Sequence, residues 1–434
     1  MLPAFSTSMA CCPRYSAAGC VILLGSLPFG SSRIRLQSFC PPKEATLMSA
    51  ASPSADVQPF KIHVDDALLT DLHARIARAR WPEQIGPDWQ YGTPVGYLKS
   101  LCEYWRTGFD WRAQEARLNA FDQFGTEMEG ERLHFIHQRS PEPDAKPLLL
   151  SHGWPGSITE FMKVIGPLTD PRAHGGDPKD AFHVVAPSIP GYGFSAAPRE
   201  PGFDARGVAR RFAALMARLG YGSYFAQGGD WGSAISTWIA VDDAAHCKAI
   251  HLNLVFVARP RDDDAMAGVS EDELKRWQGR GAYMAEETGY QSIQSTKPQT
   301  LGYGLNDSPV GLASWIVEKF HGWTQHGGNH ELVVTRDEIL TNITVYWATQ
   351  SITSSTRLYY ENRHAGNKYP ARIDTPTCVA LFPGELALPP RRWVERQYNL
   401  VHWREQARGG HFAALEAPEL LVADVRLAFR PLRW

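Results

Sequence analysis

Apolar positions recur at helical spacing early in the chain. In Asp65–Arg80, DDALLTDLHARIARAR, the residues Leu68, Leu72 and Ile76 share one face behind an Asp-rich start, which predicts a helix. A Trp-rich polar segment follows to about Arg139, with YLKSLCEYW as a second helix. After SPEPDAKP the period changes. LLLSHGWPG, AFHVVAPSIPGYG and SYFAQGGDWGS are short apolar runs that end in Gly-rich loops, and DARGVARRFAALMARLG between them has helical spacing. Short buried strands alternating with helices predict an α/β chain with a mostly parallel central sheet flanked by helices. Chemistry in such sheets gathers at the carboxyl ends of the strands, where these loops fall. KAIHLNLV adds a strand, and the alternation then stops until TPTCVALFPGE. The aromatic-rich stretch between them, 258–371, with GLASWIVEKFHGW its clearest amphipathic piece, reads as a helical lid inserted over the strand ends.

These shifts divide the chain into an extension over 1–55, an N-terminal accessory domain over 56–145, a first core part over 146–257, the lid over 258–371 and a second core part over 372–434. At 434 residues the chain is long enough for such a core, since domains run to roughly 150 residues. A formal net charge of −2 without a basic block gives no electrostatic case for nucleic acid or an anionic membrane. Four of the seven cysteines lie in the first 40 residues, and Cys102, Cys247 and Cys378 are scattered without metal or disulfide spacing. The body therefore reads as a reduced, cytoplasmic-type protein. Residues 1–47 read as a disordered extension or an over-called start ahead of Met48, with a cleaved targeting peptide left open as the weaker reading. The apolar run AAGCVILLGSLPF is much shorter than the roughly 20 residues a membrane span needs.

The stretch AQGGDWGSA carries the chemistry. Gly228, Gly229, Asp230, Trp231 and Gly232 follow the small-x-nucleophile-x-small pattern of a nucleophile elbow, after a strand and before a helix. Taken alone, GGD is equally a helix cap. Two further loops decide between them. HGWPGS, His152–Ser157, fits the loop that supplies one backbone N–H of an oxyanion hole from Trp154, the other coming from Trp231. GGHFAALEAPELL places His411 late in the chain, and VALFPGE puts Glu385 in the loop after a strand. This gives the order nucleophile, acid, histidine. Asp374 precedes that strand and is the weaker acid candidate. HGGNH offers His326 and His330 four apart, but its glycines argue against a helix and so against a metal pair. GYGF, Gly191–Phe194, lacks phosphate-loop spacing and reads as pocket wall, with Phe194 touching substrate. No cofactor and no metal are implied.

An aspartate at the elbow is already anionic and needs no base to activate it. On an acyl carbon it would yield an anhydride; on a strained or activated alkyl carbon it yields an ester. His411, held by Glu385, would then drive water onto the Asp230 carboxyl carbon, with the Trp154 and Trp231 amides holding the oxyanion. Epoxides and alkyl halides both suit such a carboxylate. An epoxide oxygen needs acid assistance, typically from phenols, whereas a halide needs only weak N–H donors such as indoles.

From about Phe60 onward the sequence resembles the microsomal-type branch of the α/β-hydrolase epoxide hydrolases. The resemblance rests on the Trp-rich N-terminal region, HGWPGS, GGDWGS, TKPQTLGYGLNDSPVGLASWIVEKF, YWATQSITSSTRLYYEN and GGHFAALEAPE. It implies Asp230 as nucleophile, His411 and Glu385 as its base and acid, and Tyr290 and Tyr359 as lid phenols that protonate the epoxide oxygen. Tyr360 is the adjacent alternative to Tyr359. The implied substrates are a small apolar or aromatic epoxide and water, in detoxification or catabolism, with homo-oligomerisation left open. A haloalkane dehalogenase on the same Asp–His core, or a degenerate hydrolase fold that only binds, are the alternatives.

Overall fold

The computed structural model describes residues 57–434. The readings of residues 1–47, and the four cysteines there, lie outside it. Nine strands, β1 (Gln58–Pro59), β2 (Gln123–Met128), β3 (Glu131–Gln138), β4 (Lys146–Ser151), β5 (Phe182–Pro187), β6 (Tyr224–Gly228), β7 (Cys247–Leu252), β8 (Ile373–Leu381) and β9 (Tyr398–Glu405), form one sheet. Their order is β1-β2-β3-β5-β4-β6-β7-β8-β9. From β5 to β9 every pairing is parallel, while β1, β2 and β3 extend the sheet by antiparallel pairings. The five apolar runs of the sequence are the parallel strands β4 to β8. Every residue of β6 is buried, as a strand covered by helices on both faces requires.

The N-terminal region contributes more than helices. Asp66–Ala77 and Val95–Thr107 are helical as their spacing predicts. The segment after Trp111–Leu118, however, folds into the β2–β3 hairpin. Its turn is Glu129-Gly130, with φ of 54° and 78°, the left-handed pair that two-residue hairpin loops favour. The hairpin joins the main sheet through β3–β5, and the described residues 57–434 belong to one compact unit.

Six α-helices separate β7 from β8: Glu271–Glu287, Gly289–Gln294, Pro298–Asp307, Pro309–Trp323, Arg336–Thr349 and Ile352–His364. Ser270 and Thr335 start two of them with reciprocal capping boxes, and Pro298 and Pro309 occupy first-turn positions of two others. Among the described residues, no helix is long and apolar enough to cross a membrane.

Candidate active site

β4 and β6 are neighbours, and Ser151 pairs with Gly228, so the HGWPGS and GGDWGS loops leave the sheet side by side. Asp230 sits at the tip of the second loop with φ 49° and ψ −126°, a left-handed backbone that a non-glycine residue holds only under constraint. The helix Trp231–Asp242 begins at the next residue. A Cβ on Gly232 would overlap the backbone oxygen of Ser151, so only glycine lets this helix start so close to β4. The Trp154 amide donates to Asp230 Oδ1 at 2.8 Å, and the Trp231 amide also donates to the carboxylate. Burial raises the Asp230 pKa, opposed by the His411 charge and these two amides. His152 is buried, pushed down to about 4 by burial, and accepts from the Ile189 amide at 3.1 Å. It is a neutral staple between two loops.

Glu385 and His411 arrive on the loops after β8 and β9, which a bridge between Gly384 and Gly410 ties together. His411 Nδ1 lies 2.7 Å from Glu385 Oε1, and Nε2 lies 3.5 Å from Asp230 Oδ2. The lid holds the histidine from above, since the His411 amide donates to the Trp323 carbonyl at 3.0 Å. Burial pulls the imidazolium down, but Glu385 and then Asp230, with a smaller push from Glu160, outweigh it and raise His411 to about 9. Asp374 stands at the start of β8, 94% exposed and paired with Arg372, outside this constellation.

Tyr290, on Gly289–Gln294, and Tyr359, on Ile352–His364, are both buried, with ring centroids 5.9 Å apart. Tyr290 stacks on Trp154 at 5.1 Å, and Tyr359 meets Trp231 edge-on at 4.8 Å. Burial, then the Asp230 charge, pushes Tyr290 far above the ordinary phenol range. The Tyr359 hydroxyl has no fully formed hydrogen bond, although each phenol perturbs the acidity of the other. Tyr360 turns away and stacks on His364 at 4.0 Å. Together Asp230, Trp231, Tyr290 and Tyr359 line a cavity of about 290 Å³ whose other walls include Phe256, Met284 and Leu386.

Phe194 does not reach this cavity, which corrects its expected contact with substrate. Its ring packs on Phe60 at 5.7 Å and His134 at 5.3 Å, because the turn through Gly191 and Gly193, both at positive φ, carries it back onto the core. His326 and His330 lie in a loop and a short 3-10 turn. The nitrogens of His326 are occupied by the His321 carbonyl and the Gly328 amide. Among the described residues, no group of three or more His, Cys, Asp or Glu is placed to hold a metal ion.

Sequence reasoning passed over two charged neighbours. Glu160 shares a second, small cavity with Asp230 and His411; the spacing WPGSxxE was the available signal. Lys319, in WIVEKF, is 4% exposed, with its ammonium 4.7 Å from the Tyr290 ring centroid and ion-paired to Glu287 at 3.3 Å and Glu318 at 2.6 Å.

Comparison with known proteins agrees with this geometry. Residues 57–161 match the epoxide hydrolase N-terminus family, and residues 146–363 match the alpha/beta hydrolase fold family. Epoxide hydrolase 1 of Sus scrofa is 43% identical over 405 residues, covering 87% of this chain and 89% of that protein. The crystal structure of juvenile hormone epoxide hydrolase from the silkworm Bombyx mori superposes with a TM-score of 0.80 at 34% identity, over 87% of this chain and 95% of that one. The Aspergillus niger epoxide hydrolase does so with 0.77 at 34% identity, over 88% and 98%. With the elbow carboxylate, the histidine–glutamate pair and the two lid phenols set within an α/β-hydrolase sheet, this chain belongs to the epoxide hydrolase family.

Proposed function

We propose that the protein opens an apolar or aromatic epoxide to a vicinal diol through an alkyl ester on Asp230. The observation that carries this is the position of Asp230. It borders both a largely apolar cavity lined by two phenols and a much smaller cavity that contains His411. Oδ2 attacks a ring carbon, the carbon–oxygen bond breaks, and the departing oxygen takes a proton from Tyr290 or Tyr359. Burial holds both phenols protonated until that moment.

Ester formation removes the Asp230 charge, one of those that raise His411 to about 9, and the imidazolium proton passes to the phenolate left by ring opening. The imidazole thereby becomes a competent base only once there is an ester to hydrolyse. It takes a proton from water, whose oxygen attacks the Asp230 carboxyl carbon. The oxyanion forms on Oδ1, against the Trp154 and Trp231 amides. Collapse breaks the bond from carboxyl carbon to alkyl oxygen, which takes the proton from His411 and leaves as the diol, and the Asp230 acid, now carrying the water oxygen, returns its own proton to His411. The positioned phenols favour an epoxide over a halide, which would leave without a proton donor.

A single turnover in heavy-oxygen water tests the route. The first diol released should carry no label from solvent, because its new oxygen comes from Asp230. Label in that first product refutes the ester. Halide release from haloalkanes by a Tyr290→Phe/Tyr359→Phe protein would favour the dehalogenase alternative.

A further inference from the structure

The smaller cavity at Asp230 has a volume of about 20 Å³, and its lining includes Gly153, Trp154, Glu160, Asp230, Asn253 and His411. A single buried water needs about 10–15 Å³ and two to four polar partners, so this space fits one molecule and little else. Glu160 enters it from the 3-10 turn Ile158–Lys163, which Ser157 caps. The carboxyl folds back over Gly156, where a Cβ would overlap Glu160 Oε1. Gly153 plays the matching part for the nucleophile, since a Cβ there would overlap Asp230. The two glycines of HGWPGS therefore admit two carboxyl groups to one small chamber.

We propose that Glu160 is a positioning residue for the hydrolytic step, accepting one O–H of the chamber water while the other points at His411 Nε2, so that the oxygen faces the Asp230 carboxyl carbon. This rests on the alkyl-ester route. Glu160 neither gains nor loses a proton. One water hydrogen passes to His411, and the hydroxyl joins the carboxyl carbon. The groups facing Glu160 are His411, Asp230 and Glu385, with the Gly153 backbone as a hydrogen-bond partner. Burial, opposed by His411 and reinforced by Asp230, pushes it up to about 8, so near neutral pH it adds no second anion beside the ester. As a neutral acid it still offers a carbonyl oxygen to water.

Rapid-mixing single turnovers on Glu160→Ala and Glu160→Gln separate the two half-reactions. The alanine variant should form the ester at nearly the wild-type rate and hydrolyse it about 10- to 100-fold more slowly, the loss expected for one well-placed hydrogen bond in a transition state. Glutamine keeps a carbonyl acceptor and should restore most of the rate, while abolishing any change in hydrolysis rate as the wild-type carboxyl ionises at alkaline pH. Ester hydrolysis unchanged in the alanine variant overturns the proposal, as does equal slowing of both half-reactions. Should the alanine variant not fold, a glutamine variant that keeps the wild-type alkaline behaviour overturns it equally. Solvent label in the first wild-type diol would instead sink the ester route itself, whatever Glu160 does.

Discussion

Glu385→Gln isolates the charge behind His411. Glutamine keeps the shape of the side chain and an oxygen that can still accept from Nδ1–H, so the main loss is the carboxylate's charge. The pair it disrupts is 2.7 Å long and wholly buried, with the glutamate side chain 0% and the histidine 3% exposed. Hydrogen bonds to charged groups contribute about 1.5–3 kcal/mol. At about 1.4 kcal/mol per decade, that converts to roughly 10- to 150-fold in the step where the imidazolium forms. The same charge is the foremost upward influence on His411, so the substitution should also lower its pKa from about 9. Stopped-flow tryptophan fluorescence can follow both steps, because Trp154 and Trp231 flank the reacting carboxylate. The ester should form at close to its normal rate and then accumulate, detectable by mass on the peptide holding Asp230. Hydrolysis should reach its plateau at lower pH than in the wild type. Equal slowing of both steps, or hydrolysis at the normal rate, refutes this division of labour.

Tyr290→Phe and Tyr359→Phe should each slow ester formation, and the double variant should lose about 10²- to 10⁴-fold, while hydrolysis of ester already formed is spared; rapid-mixing kinetics reads both. Lys319→Met leaves Glu287 and Glu318 without their shared cation beneath Tyr290. Ester formation should slow, and the melting midpoint should fall in calorimetry, more than with Lys319→Arg. Asp424 is 0% exposed and holds His251 at 2.9 Å and His402 at 3.2 Å. Burial pushes its carboxyl up, but these two histidines outweigh that and hold it well below the usual range. A lowered pKa contributes stability above the unfolded value of about 3.9 and loses it as pH falls. Asp424→Asn should therefore cost about 3 kcal/mol in denaturant unfolding at neutral pH, and less as the pH is lowered through the acid range.

The parts of this architecture visible in the sequence are those with a local cause. The buried parallel strands β4 to β8 read as apolar runs because helices cover both faces, and each ends in a glycine- or proline-bearing loop that the site needs. Asp230, His411 and Glu385 follow from loop order along the chain. The β2–β3 hairpin was hidden because its turn is Glu-Gly rather than Asn-Gly or Asp-Gly, and QFGTEMEGERLHFIHQ mixes charges into both strands. β9, YNLVHWRE, is an edge strand with only Tyr398 fully buried, so its pattern is weak. Phe194 misled because its partner, Phe60, is remote in sequence, and no local signal says which way a Gly-rich turn will throw its aromatic. Tyr359 and Tyr360 differ by one helical step of about 100°, enough to send one into the cavity and the other onto His364. Glu160 stayed unread for the opposite reason: its signal, a glutamate four residues after Gly156, means nothing until the turn folds it back.

The placement of Asp230 answers a difficulty built into any carboxylate nucleophile of this kind. The group must be an anion that a carbon electrophile can reach, and then an electrophile that water can reach, with the two visitors kept apart. A serine elbow needs one access route, because the carbonyl attacked twice belongs to the substrate. On the proposed ester route the carbonyl attacked second belongs to the enzyme, so access from two sides is useful, and Asp230 borders two cavities of very different size. The strained φ of 49° sets the carboxylate between them, and the Trp154 amide fixes one oxygen so that the other faces His411 and the incoming carbon. A cavity of about 290 Å³ is at the small end for ligand sites, so epoxides of modest size fit without lid movement. Larger epoxides would have to displace apolar wall residues such as Phe256 or Met284, and selectivity by size should therefore respond to those two residues before it responds to Asp230, His411 or Glu385.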